Sequence, residues 1–404
     1  MIEYLVIRTA AMIPTYILDV FQSVIWHSRF FGIGDFEIYC EATPQNVQKI
    51  TVDSFVTRSD VEKNPSVGIV RNVRLVNDPQ NGVMLIASGY FAKDILRQRL
   101  LYKLTEENTL DTIVYSGEVE DAARDAVDKS LINPTKTARK VPNLALGSEK
   151  GYTESLPDKR QSLFENLYDW LTAMLSEYSL TCDIFAKESD FFSSLVFEVQ
   201  KGTDRTESVI ISGKLDNLIN STYEKTTNGE KTLALVGGSG TTSARLFREV
   251  GTAIGFNRKE VYVNASNVRQ TGLKLDELMT LFPGGSVQPS TDDPQYYVVN
   301  SVIIASYSNN AWDILDEYYL PFLIAPGDDA LQKASATTSY KGEIDVSSGT
   351  YKLGKDYFLG DYVTVFDDRL NVTVKAQVTE TTEVVDDSGT LVSAVFETKT
   401  LPSS

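Results

Sequence analysis

Alternating hydrophobic and polar positions in the first hundred residues predict β-strands. Short runs of β-branched and aromatic residues lie at 20–26, 36–40, 67–76 and 83–89, and turn residues such as Asn77-Asp-Pro-Gln-Asn-Gly82 separate them. A period of two is typical of a strand that buries one face. This part of the chain is therefore expected to form a compact β-barrel or sandwich.

Helical spacing replaces the alternation in the next part of the chain. Apolar residues recur at helical intervals over 117–131. A second helix is predicted over 162–178, where Ser162 and Glu165 form a capping box. Its apolar stripe is typical of a helix that faces a core rather than a cofactor, and it consists of Leu163, Leu167, Trp170, Leu171, Met174 and Tyr178.

Strand patterns then return and continue to the end. The later predicted strands are 182–185, 195–200, 209–212, 218–225, 232–236, 342–346, 360–366, 372–382 and 391–396. A helix is predicted over about 328–338, and Asp386-Asp-Ser-Gly389 is expected to be a hairpin turn. The glycine-rich run Gly237-Gly-Ser-Gly-Thr-Thr242 lacks the lysine of a phosphate-binding loop. We interpret it as a turn between two antiparallel strands.

The segment Pro283–Leu331 combines acids and aromatic residues without a single Lys or Arg. Its acids are Asp292, Asp293, Asp313, Asp316, Glu317, Asp328 and Asp329. Its large apolar series is Tyr296, Tyr297, Ile303, Ile304, Tyr307, Trp312, Tyr318, Tyr319 and Phe322. The paired acids do not have the spacing of a calcium loop. The segment is either an ordinary packed excursion from the core or an insert that faces an interface or a lumen.

Histidine and cysteine are too rare for most metal and nucleophile chemistry. The chain has one histidine, His27, and two cysteines, Cys40 and Cys182, whereas a Cys/His zinc site normally takes four ligands. No Gly-x-Ser-x-Gly elbow occurs, so His27 is interpreted as a satisfied or solvent-facing strand residue. The cysteines are interpreted as free and buried. No catalytic, cofactor-binding or metal-binding residue is predicted, and no cofactor is expected.

The excess of acidic residues limits the kinds of partner that the chain is expected to bind. The formal net charge is −17, and such a chain is not expected to hold nucleic acid, because phosphate binding needs clustered Lys and Arg. No run of 18 uncharged apolar residues occurs, so membrane insertion is not expected. The first residues lack the basic and apolar regions of a signal peptide. The charge is uneven, because residues 1–100 are neutral and residues 151–340 carry −10.

Motifs in several segments occur in a fixed order along the chain. They are Arg29-Phe-Phe-Gly32-Ile-Gly34-Asp35-Phe36-Glu37, Gly68–Arg71 with Ile86–Leu96, Leu215–Leu218, Tyr223, Ala234–Gly238, Arg258–Ala265 and Tyr351–Val365. Together they resemble the tail-tip baseplate hub (tail-associated minor tail) proteins of long-tailed siphophages, chiefly those of Gram-positive bacteria. The chain departs from that pattern between about Gly272 and Ala325, so this insert is the part most particular to the present protein.

The resemblance implies a structural virion protein that caps the tail tube and helps to form or gate the channel for DNA ejection. It implies a homotrimer whose partners are the distal tail protein ring, the tape measure protein and other baseplate or receptor-binding proteins. DNA would pass through without specific binding. The implied location is the tail tip of the virion, after synthesis in the host cytoplasm. No enzymatic activity and no stable membrane insertion are expected.

The expected fold class is α+β and mostly β, with two β-barrel-like hub domains and inserted helical and mixed segments. The predicted segments are a first β-barrel-like hub domain at 1–105, a helical and mixed insert at 106–210, a mixed β region at 211–271, an acidic, aromatic insert at 272–326 and a second β-barrel-like hub region at 327–404. The aromatic insert is expected to contact another tail protein or a neighbouring subunit.

Two other functions remain open on the sequence. A tail-associated peptidoglycan hydrolase could use two carboxylates, which a chain with 55 acids can supply, although no lytic domain is expected after the last motif. A receptor-binding or adhesin protein would favour a terminal carbohydrate-binding sandwich or a repeat-rich stalk, and the pattern predicts neither. Clearing of a cell-wall suspension would identify the hydrolase, and binding to host cells would identify the adhesin.

Overall fold

The computed structural model describes residues 2–60, 66–78, 82–104, 110–111, 113–156, 160–162, 164–187, 193–212, 218–241, 245–289, 295–344, 350–368 and 371–398. Strands account for 44 % and helices for 20 %, which confirms the mostly-β prediction. The chain forms two compact units. Unit 1 comprises residues 1–223 and 339–398, and unit 2 comprises residues 224–338. The five segments predicted from the sequence remain a prediction.

The strands are β1 Leu5–Arg8, β2 Pro14–Leu18, β3 Ser23–Arg29, β4 Asp35–Glu41, β5 Phe55–Arg58, β6 Gly68–Asp78, β7 Gly82–Phe91, β8 Leu100–Leu101, β9 Lys103–Leu104, β10 Leu110–Asp111, β11 Ile113–Tyr115, β12 Leu144–Leu146, β13 Arg160–Ser162, β14 Glu165–Asn166, β15 Leu180–Ala186, β16 Leu195–Lys201, β17 Ile210–Ser212, β18 Leu218–Thr226, β19 Leu233–Gly237, β20 Phe247–Val250, β21 Glu260–Asn264, β22 Ser286–Gln288, β23 Tyr296–Val299, β24 Val302–Ser308, β25 Ala311–Ile314, β26 Thr337–Ile344, β27 Tyr362–Asp367, β28 Val372–Asp386 and β29 Gly389–Glu397.

The α-helices are α1 Pro44–Lys49, α2 Val119–Val127, α3 Leu167–Ser176, α4 Leu275–Leu281, α5 Asp316–Tyr319 and α6 Ile324–Lys333. A π-turn follows α2 at Asp128–Ile132. Short 3₁₀ turns lie at Ala92–Gln98, Thr137–Arg139, Gly255–Asn257 and Leu320–Leu323.

One large sheet of unit 1 joins strands from both ends of the chain. Its order is β17-β27-β28-β3-β4-β7-β6-β5-β1-β2, and β29 pairs with β28. The junction is the antiparallel pairing of β28 with β3, from Glu380 opposite Arg29 to Asp386 opposite Ser23. Among the described strands the path runs from β17 to β2 without closing on itself. The division into two barrel-like domains therefore remains a prediction.

Strand alternation explains why this sheet buries one face. The β4 residues Phe36, Ile38 and Cys40 point into the core, and the residues between them are only partly buried. The predicted hairpin at the end of the chain is confirmed, because Asp386 pairs with Gly389 in the β28–β29 ladder. A period of two was thus a reliable signal in this region.

The helix predicted over 162–178 is present but begins later. Asn166 caps α3, and its side chain accepts the N–H of Tyr168 at 3.0 Å. The predicted capping box of Ser162 and Glu165 is wrong, because β14 pairs with β8 and keeps the chain extended up to Asn166. Of the predicted stripe, Leu163 lies outside the described residues, Tyr178 is half-buried, and the buried members are Leu167, Trp170, Leu171 and Met174.

The helix predicted over 328–338 is shifted towards the N-terminus. In the structure α6 begins at Ile324 and ends at Lys333. Thr337 and the β-branched residue after it belong to β26, which pairs with β18. Strand pairing therefore takes the last residues of the predicted helix, as expected for β-branched side chains.

Unit 2 contains two small sheets and its own core. The three-stranded sheet has the order β20-β19-β21, and the four-stranded sheet has the order β22-β23-β24-β25. The helix α6 packs against the first sheet. The largest buried side chains of its core are Tyr297, Trp312 and Tyr319. Most of the predicted acidic, aromatic insert thus forms a packed sheet with a hydrophobic core.

The glycine-rich run at 237–242 joins β19 to β20, which are antiparallel. The predicted turn between antiparallel strands is confirmed, and the second strand begins at Phe247. Gly238 lies so close to Tyr319 that a Cβ atom there would overlap the ring, and Ser239 N–H donates to Tyr319 Oη at 2.8 Å. Residues 242–244 lie outside the described part of the chain. The glycines therefore allow the turn to pack on an aromatic ring.

Candidate interaction site

Three of the motif-bearing segments meet at one cavity of unit 1. The cavity has a volume of about 220 Å³. Its walls come from the β3–β4 connection, the segment after β7, β15, β28 and the turn before β27. The lining residues are Ser28, Arg29, Gly32, Gly34, Ser66, Phe91, Lys93, Asp183, Leu353, Gly354, Phe358, Leu359 and Thr381. Segments that are far apart in sequence thus build one polar junction.

A charged network holds the strand junction at the rim of this cavity. Arg29 donates to the carboxylate of Asp35 and to the carbonyl of Ile33 at 2.7 Å, and its Nε lies 3.6 Å from Glu380 Oε1. The guanidinium therefore bridges β3, β4 and β28. Because an arginine pairs with carboxylates on both neighbouring strands, the register of the junction is fixed by charge as well as by packing.

His27 belongs to the same network, as the interpretation of a satisfied strand histidine predicts. Its Nδ1 lies 2.8 Å from the NH2 group of Arg29, which can only donate, so Nδ1 is the acceptor. Nε2 then carries the proton and donates to Glu380 Oε2 at 3.2 Å. Both ring nitrogens are used in hydrogen bonds, so the geometry assigns this histidine a structural role.

Lys93 is a buried cation beneath the cavity. Only 3 % of its surface is exposed, and its Nζ donates to the carbonyls of Phe30 and Phe31, at 3.4 and 3.1 Å, and to Thr181 Oγ1 at 3.2 Å. Its neighbour Asp94 is also buried. A buried charge is tolerated when its donors are satisfied. Lys93 therefore ties the β3–β4 connection to β15.

Asp183 is the carboxylate of β15 that faces the cavity. Its Oδ1 accepts the N–H of Ile184 at 2.8 Å. Burial raises the pKa of this carboxyl above its usual range, and the nearby charge of Lys93 opposes that increase. The lining of the cavity therefore includes a buried cation and an acid whose ionisation is disfavoured by burial.

Two glycines allow the segments to approach each other. Gly360 has a φ of +94°, and a Cβ atom there would overlap the ring of Phe30. The motif segments predict that Gly34 and Gly360 are turn positions that need a positive φ, and this prediction is confirmed at Gly360. The same prediction for Gly34 is wrong, because Gly34 is absent from the positive-φ residues of the described chain. Gly34 is required instead by the ring of Phe91, which leaves no space for a Cβ atom.

Asp361, which follows Gly360, anchors the turn that leads into β27. The buried carboxylate accepts the N–H groups of Thr203 and Phe358 at 2.9 and 3.0 Å and binds Arg205 Nε at 2.5 Å. Three donors from two loops thus converge on one acid. The Gly-Asp pair of the closing motif is therefore a structural anchor.

Within the described ranges, no group of three or more His, Cys, Asp or Glu side chains could hold a metal ion. Cys40 and Cys182 are free and buried, as predicted, and burial raises the pKa of each thiol to about 11. In the part of the chain that the structure describes, no helix has the length and apolar character needed to cross a bilayer.

Sequence reasoning did not single out Asp183, and it included Lys93 and Asp361 only as members of the motif segments 86–96 and 351–365. Lys93 carried a weak signal, since it interrupts the apolar run from Phe91 to Leu96. Asp183 likewise interrupts the apolar β15, between two buried residues. A search for charged residues within otherwise apolar segments could have identified both Lys93 and Asp183. The acids Asp292 and Asp293 of the aromatic insert lie outside the described residues.

The comparisons with known proteins agree on one class of protein, the tail proteins. A family model described as siphovirus ReqiPepy6 Gp37-like protein matches residues 5–396. The fold is similar to the 43 kDa tail protein of prophage MuSo2 from Shewanella oneidensis, with 10 % identity, a TM-score of 0.55 and 98 % of each chain covered. It is also similar to a tail protein from Neisseria meningitidis MC58, with 11 % identity, a TM-score of 0.51 and coverage of 98 % of this chain and 96 % of that chain. No curated protein matches the sequence.

Proposed function

From the premise that this chain belongs to the siphovirus ReqiPepy6 Gp37-like family of phage tail proteins, we propose that it is a baseplate hub at the tail tip. In this role it is a structural virion protein that caps the tail tube and helps to form or gate the channel for DNA ejection. Its copies form a homotrimeric ring. Its partners are the distal tail protein ring, the tape measure protein and other baseplate or receptor-binding proteins.

The observation that carries this proposal is the whole-length likeness in fold to two tail proteins. An adhesin or a lytic enzyme attached to a tail module would match such proteins over one part of the chain. Here the likeness covers 98 % of the chain and nearly all of each relative. The likeness to tail proteins therefore extends over the whole body of the protein and is not confined to one appended module.

The large sheet of unit 1 supports a ring-forming body. Strands from both chain ends pair through β3 and β28. A sheet of eleven strands curls strongly, because each neighbouring pair adds twist. Two barrel-like regions per copy, built from residues 1–105 and 327–404, would let three copies present six similar faces to a sixfold tube.

The charge of the chain suits a passage for DNA. A lumen rich in Lys and Arg would exchange counterions with the duplex and hold it. The acids of this chain would instead repel the phosphates over a distance of about 8 Å at ~0.15 M salt. Residues 151–340 carry −10 and residues 1–100 are neutral. The acids that line the passage are therefore expected to come mainly from the middle of the chain.

Imaging of labelled particles tests the proposed location. The exposed turn at 386–389 joins β28 to β29 and is a suitable site for a short epitope tag. Antibody against the tag should decorate the distal end of the tail and no other part of the virion. Decoration along the tail shaft, at the neck or on the capsid would contradict the proposal.

A further inference from the structure

The large sheet of unit 1 carries a second hollow, which is larger than the cavity at the strand junction. Its volume is about 390 Å³, and sites for small molecules usually have volumes of about 300–1,000 Å³. The hollow lies on β4, β7 and β6. Its lining residues are Asp35, Phe36, Glu37, Arg71, Asn72, Ser88, Gly89 and Tyr90. We name this hollow the sheet groove.

Three polar side chains form one row across the sheet groove. Glu37 of β4 lies opposite Ser88 of β7, and Ser88 lies opposite Asn72 of β6. Directly opposite residues of antiparallel strands have Cβ atoms about 4.5–5.5 Å apart, so the row spans about 10 Å. In the next row, Asp35 lies opposite Tyr90. The groove therefore presents an aromatic ring beside a row of hydrogen-bonding groups.

A β-bulge shapes one wall of the sheet groove. The register of β6 against β7 shifts between Val70 and Asn72, which leaves Arg71 as the extra residue. Gly89 permits this bulge, because a Cβ atom there would lie 1.9 Å from the carbonyl oxygen of Ile69. Bulges bend the strand and redirect the side chain of the extra residue. The hollow is therefore a consequence of the backbone and does not depend on one side-chain conformation.

Most charges at the sheet groove are already paired. Arg71 pairs with Asp53 at 2.6 Å and with Asp94 at 2.9 Å. Asp35 pairs with Arg29. An anion that bound to Arg71, or a cation that bound to Asp35, would have to compete with these ion pairs. The paired charges therefore favour a ligand without a net charge.

Two charged residues near the row have no ion pair among the described residues, and their signs are opposite. Glu37 accepts a hydrogen bond from Tyr39 Oη, and the exposed Arg74 lies two residues along β6 from Asn72. A charged ligand would be attracted by one of them and repelled by the other. In the described part of the chain, the side chains of Asn72 and Ser88 have no hydrogen-bond partner. The row therefore offers hydrogen bonds without favouring either charge.

The free groups of the row are those that a saccharide requires. A carboxylate oxygen accepts hydrogen bonds, whereas a hydroxyl and a side-chain amide both donate and accept, as sugar hydroxyls do. The ring of Tyr90 is 40 % exposed, and the guanidinium of Arg97 lies 4.6 Å from its centre and fixes its orientation. The electron-rich face of an aromatic ring attracts polarised hydrogens, such as those on the carbons of a sugar ring.

We propose that the sheet groove binds a neutral saccharide, whose ring stacks on Tyr90 while its hydroxyls bond to Glu37, Ser88 and Asn72. An extended peptide fits less well, because β7 is paired with both β4 and β6 and offers no free backbone edge. The apolar side chain of the lining, Phe36, is 1 % exposed and cannot form a pocket for a peptide side chain. The inference goes beyond the proposed hub, since the groove lies within one chain.

Titration of the full-length chain with maltose, lactose, cellobiose and diacetylchitobiose tests this proposal, with binding measured by calorimetry and by saturation transfer to sugar protons in NMR. At least one of these neutral disaccharides should bind. Tyr90→Ala should weaken that binding about tenfold, and the change Asn72→Ala at an exposed residue about fivefold. Tyr4→Ala is the matched control, because Tyr4 is 38 % exposed and lies outside the groove. No binding, or equal binding by all variants, would overturn the proposal.

Tyr90→Phe separates stacking from an effect on folding. The variant keeps the ring, so it should bind the saccharide as the unmodified chain does, and a loss equal to that of Tyr90→Ala would overturn the stacking role. Inorganic phosphate is the charged probe. Phosphate that binds more tightly than every disaccharide, and that Arg74→Ala weakens, would assign the groove to an anion and overturn the saccharide.

The source of the sugar and the hub proposal are tested separately. Binding to insoluble cell-wall polysaccharide as well as to disaccharides would identify a polymer as the source, and binding to disaccharides alone would identify a free sugar. Both outcomes support the groove. These measurements use the isolated chain, so their failure would leave the hub proposal standing. A tag found away from the tail tip would contradict the hub and leave saccharide binding unchanged.

Discussion

The two units of this protein differ in what they bury. The buried polar and charged side chains of the described chain lie almost entirely in unit 1, where Lys93, Glu120 and Asp361 have defined partners. In unit 2, Gln270 is the one such residue among those described. Buried polar groups fix one arrangement, because each must meet its own partner. Unit 1 is thus specified by hydrogen bonds in its interior.

Aromatic side chains fill the core of unit 2. Compared with unit 1, a larger share of the apolar residues of unit 2 is exposed to solvent. Tyr297, Trp312 and Tyr319 fill its core, while Ile254 and Phe256 are almost fully exposed. A surface of that kind is stable in water only at a cost unless a partner covers it. The two units therefore differ in that polar groups are buried within unit 1, whereas unit 2 exposes a larger share of its apolar side chains.

The largest loss of stability is expected for Gly360→Val in unit 1. The positive φ and the nearby ring of Phe30 would add backbone strain and overpacking, each about 1–3 kcal/mol, so the free energy of unfolding should fall by about 4 kcal/mol. Gly354→Val is the control, because Gly354 has a φ of +82° and open space around it. Urea titration should show a clearly smaller loss for the control. Equal losses would mean that the contact with Phe30 adds nothing.

A comparable loss, confined to unit 2, is expected for Trp312→Ala. Trp312 is buried and its ring centre lies 5.1 Å from that of Tyr307 and 6.2 Å from that of Tyr297. Removing a buried tryptophan costs about 3–5 kcal/mol. Hydrogen exchange resolved by peptide should show faster exchange in unit 2 and unchanged protection in β3, β4 and β7. Equal loss of protection in both units would contradict separate cores.

A smaller loss is expected for Asp361→Asn. The change removes the charge that pairs with Arg205 and replaces an acceptor by an NH2 group that faces backbone donors, at a cost of about 2–3 kcal/mol. Asp204→Asn is the matched control, since Asp204 is exposed and pairs with Lys375 at 2.5 Å, where solvent screens the ion pair. Thermal unfolding should separate the two variants. If Asp204→Asn lowered the stability of the protein as much as Asp361→Asn does, the burial of Asp361 would not explain its larger expected effect.

The smallest effect is expected for Asp183→Asn, and its sign depends on pH. Burial raises the pKa of Asp183 in the folded state, so the folded protein holds this proton more tightly than the unfolded chain does. Its contribution to stability is therefore present at low pH and is lost as the pH rises from the unfolded pKa through the folded pKa. Asp183→Asn should stabilise the protein slightly at pH 7 and not at pH 3. A loss of stability at pH 7 would reverse the assigned sign.

The sequence predicted the strands of unit 1 well, because alternation reports burial of one face directly. It misplaced the start of α3, since the pairing of β14 with β8 is a long-range contact that overrides the capping signal at Ser162. It misplaced the end of α6 for a similar reason. The short strands β1, β2 and β5 were missed because their apolar runs are brief. Local patterns cannot report which distant strand a residue will join.

The candidate site was harder to predict from the sequence than the fold was. The motifs that line the cavity were visible in the sequence, but their convergence depends on the pairing of β28 with β3 across more than 300 residues. Gly34 and Gly360 were both identified as necessary glycines. Only at Gly360 is the reason a positive φ, since at Gly34 the ring of Phe91 takes the space. The exposed loop at Ile254 and Phe256 was missed because apolar residues in sequence give no sign of exposure.

An image of the intact tail tip at a resolution that traces this chain tests the central claim most directly. The hub proposal predicts three copies around the tail axis, at the distal end of the tube, with acids from residues 151–340 lining the narrowest passage. A copy number other than three, a position away from the tip, or a passage lined by Lys and Arg would contradict it.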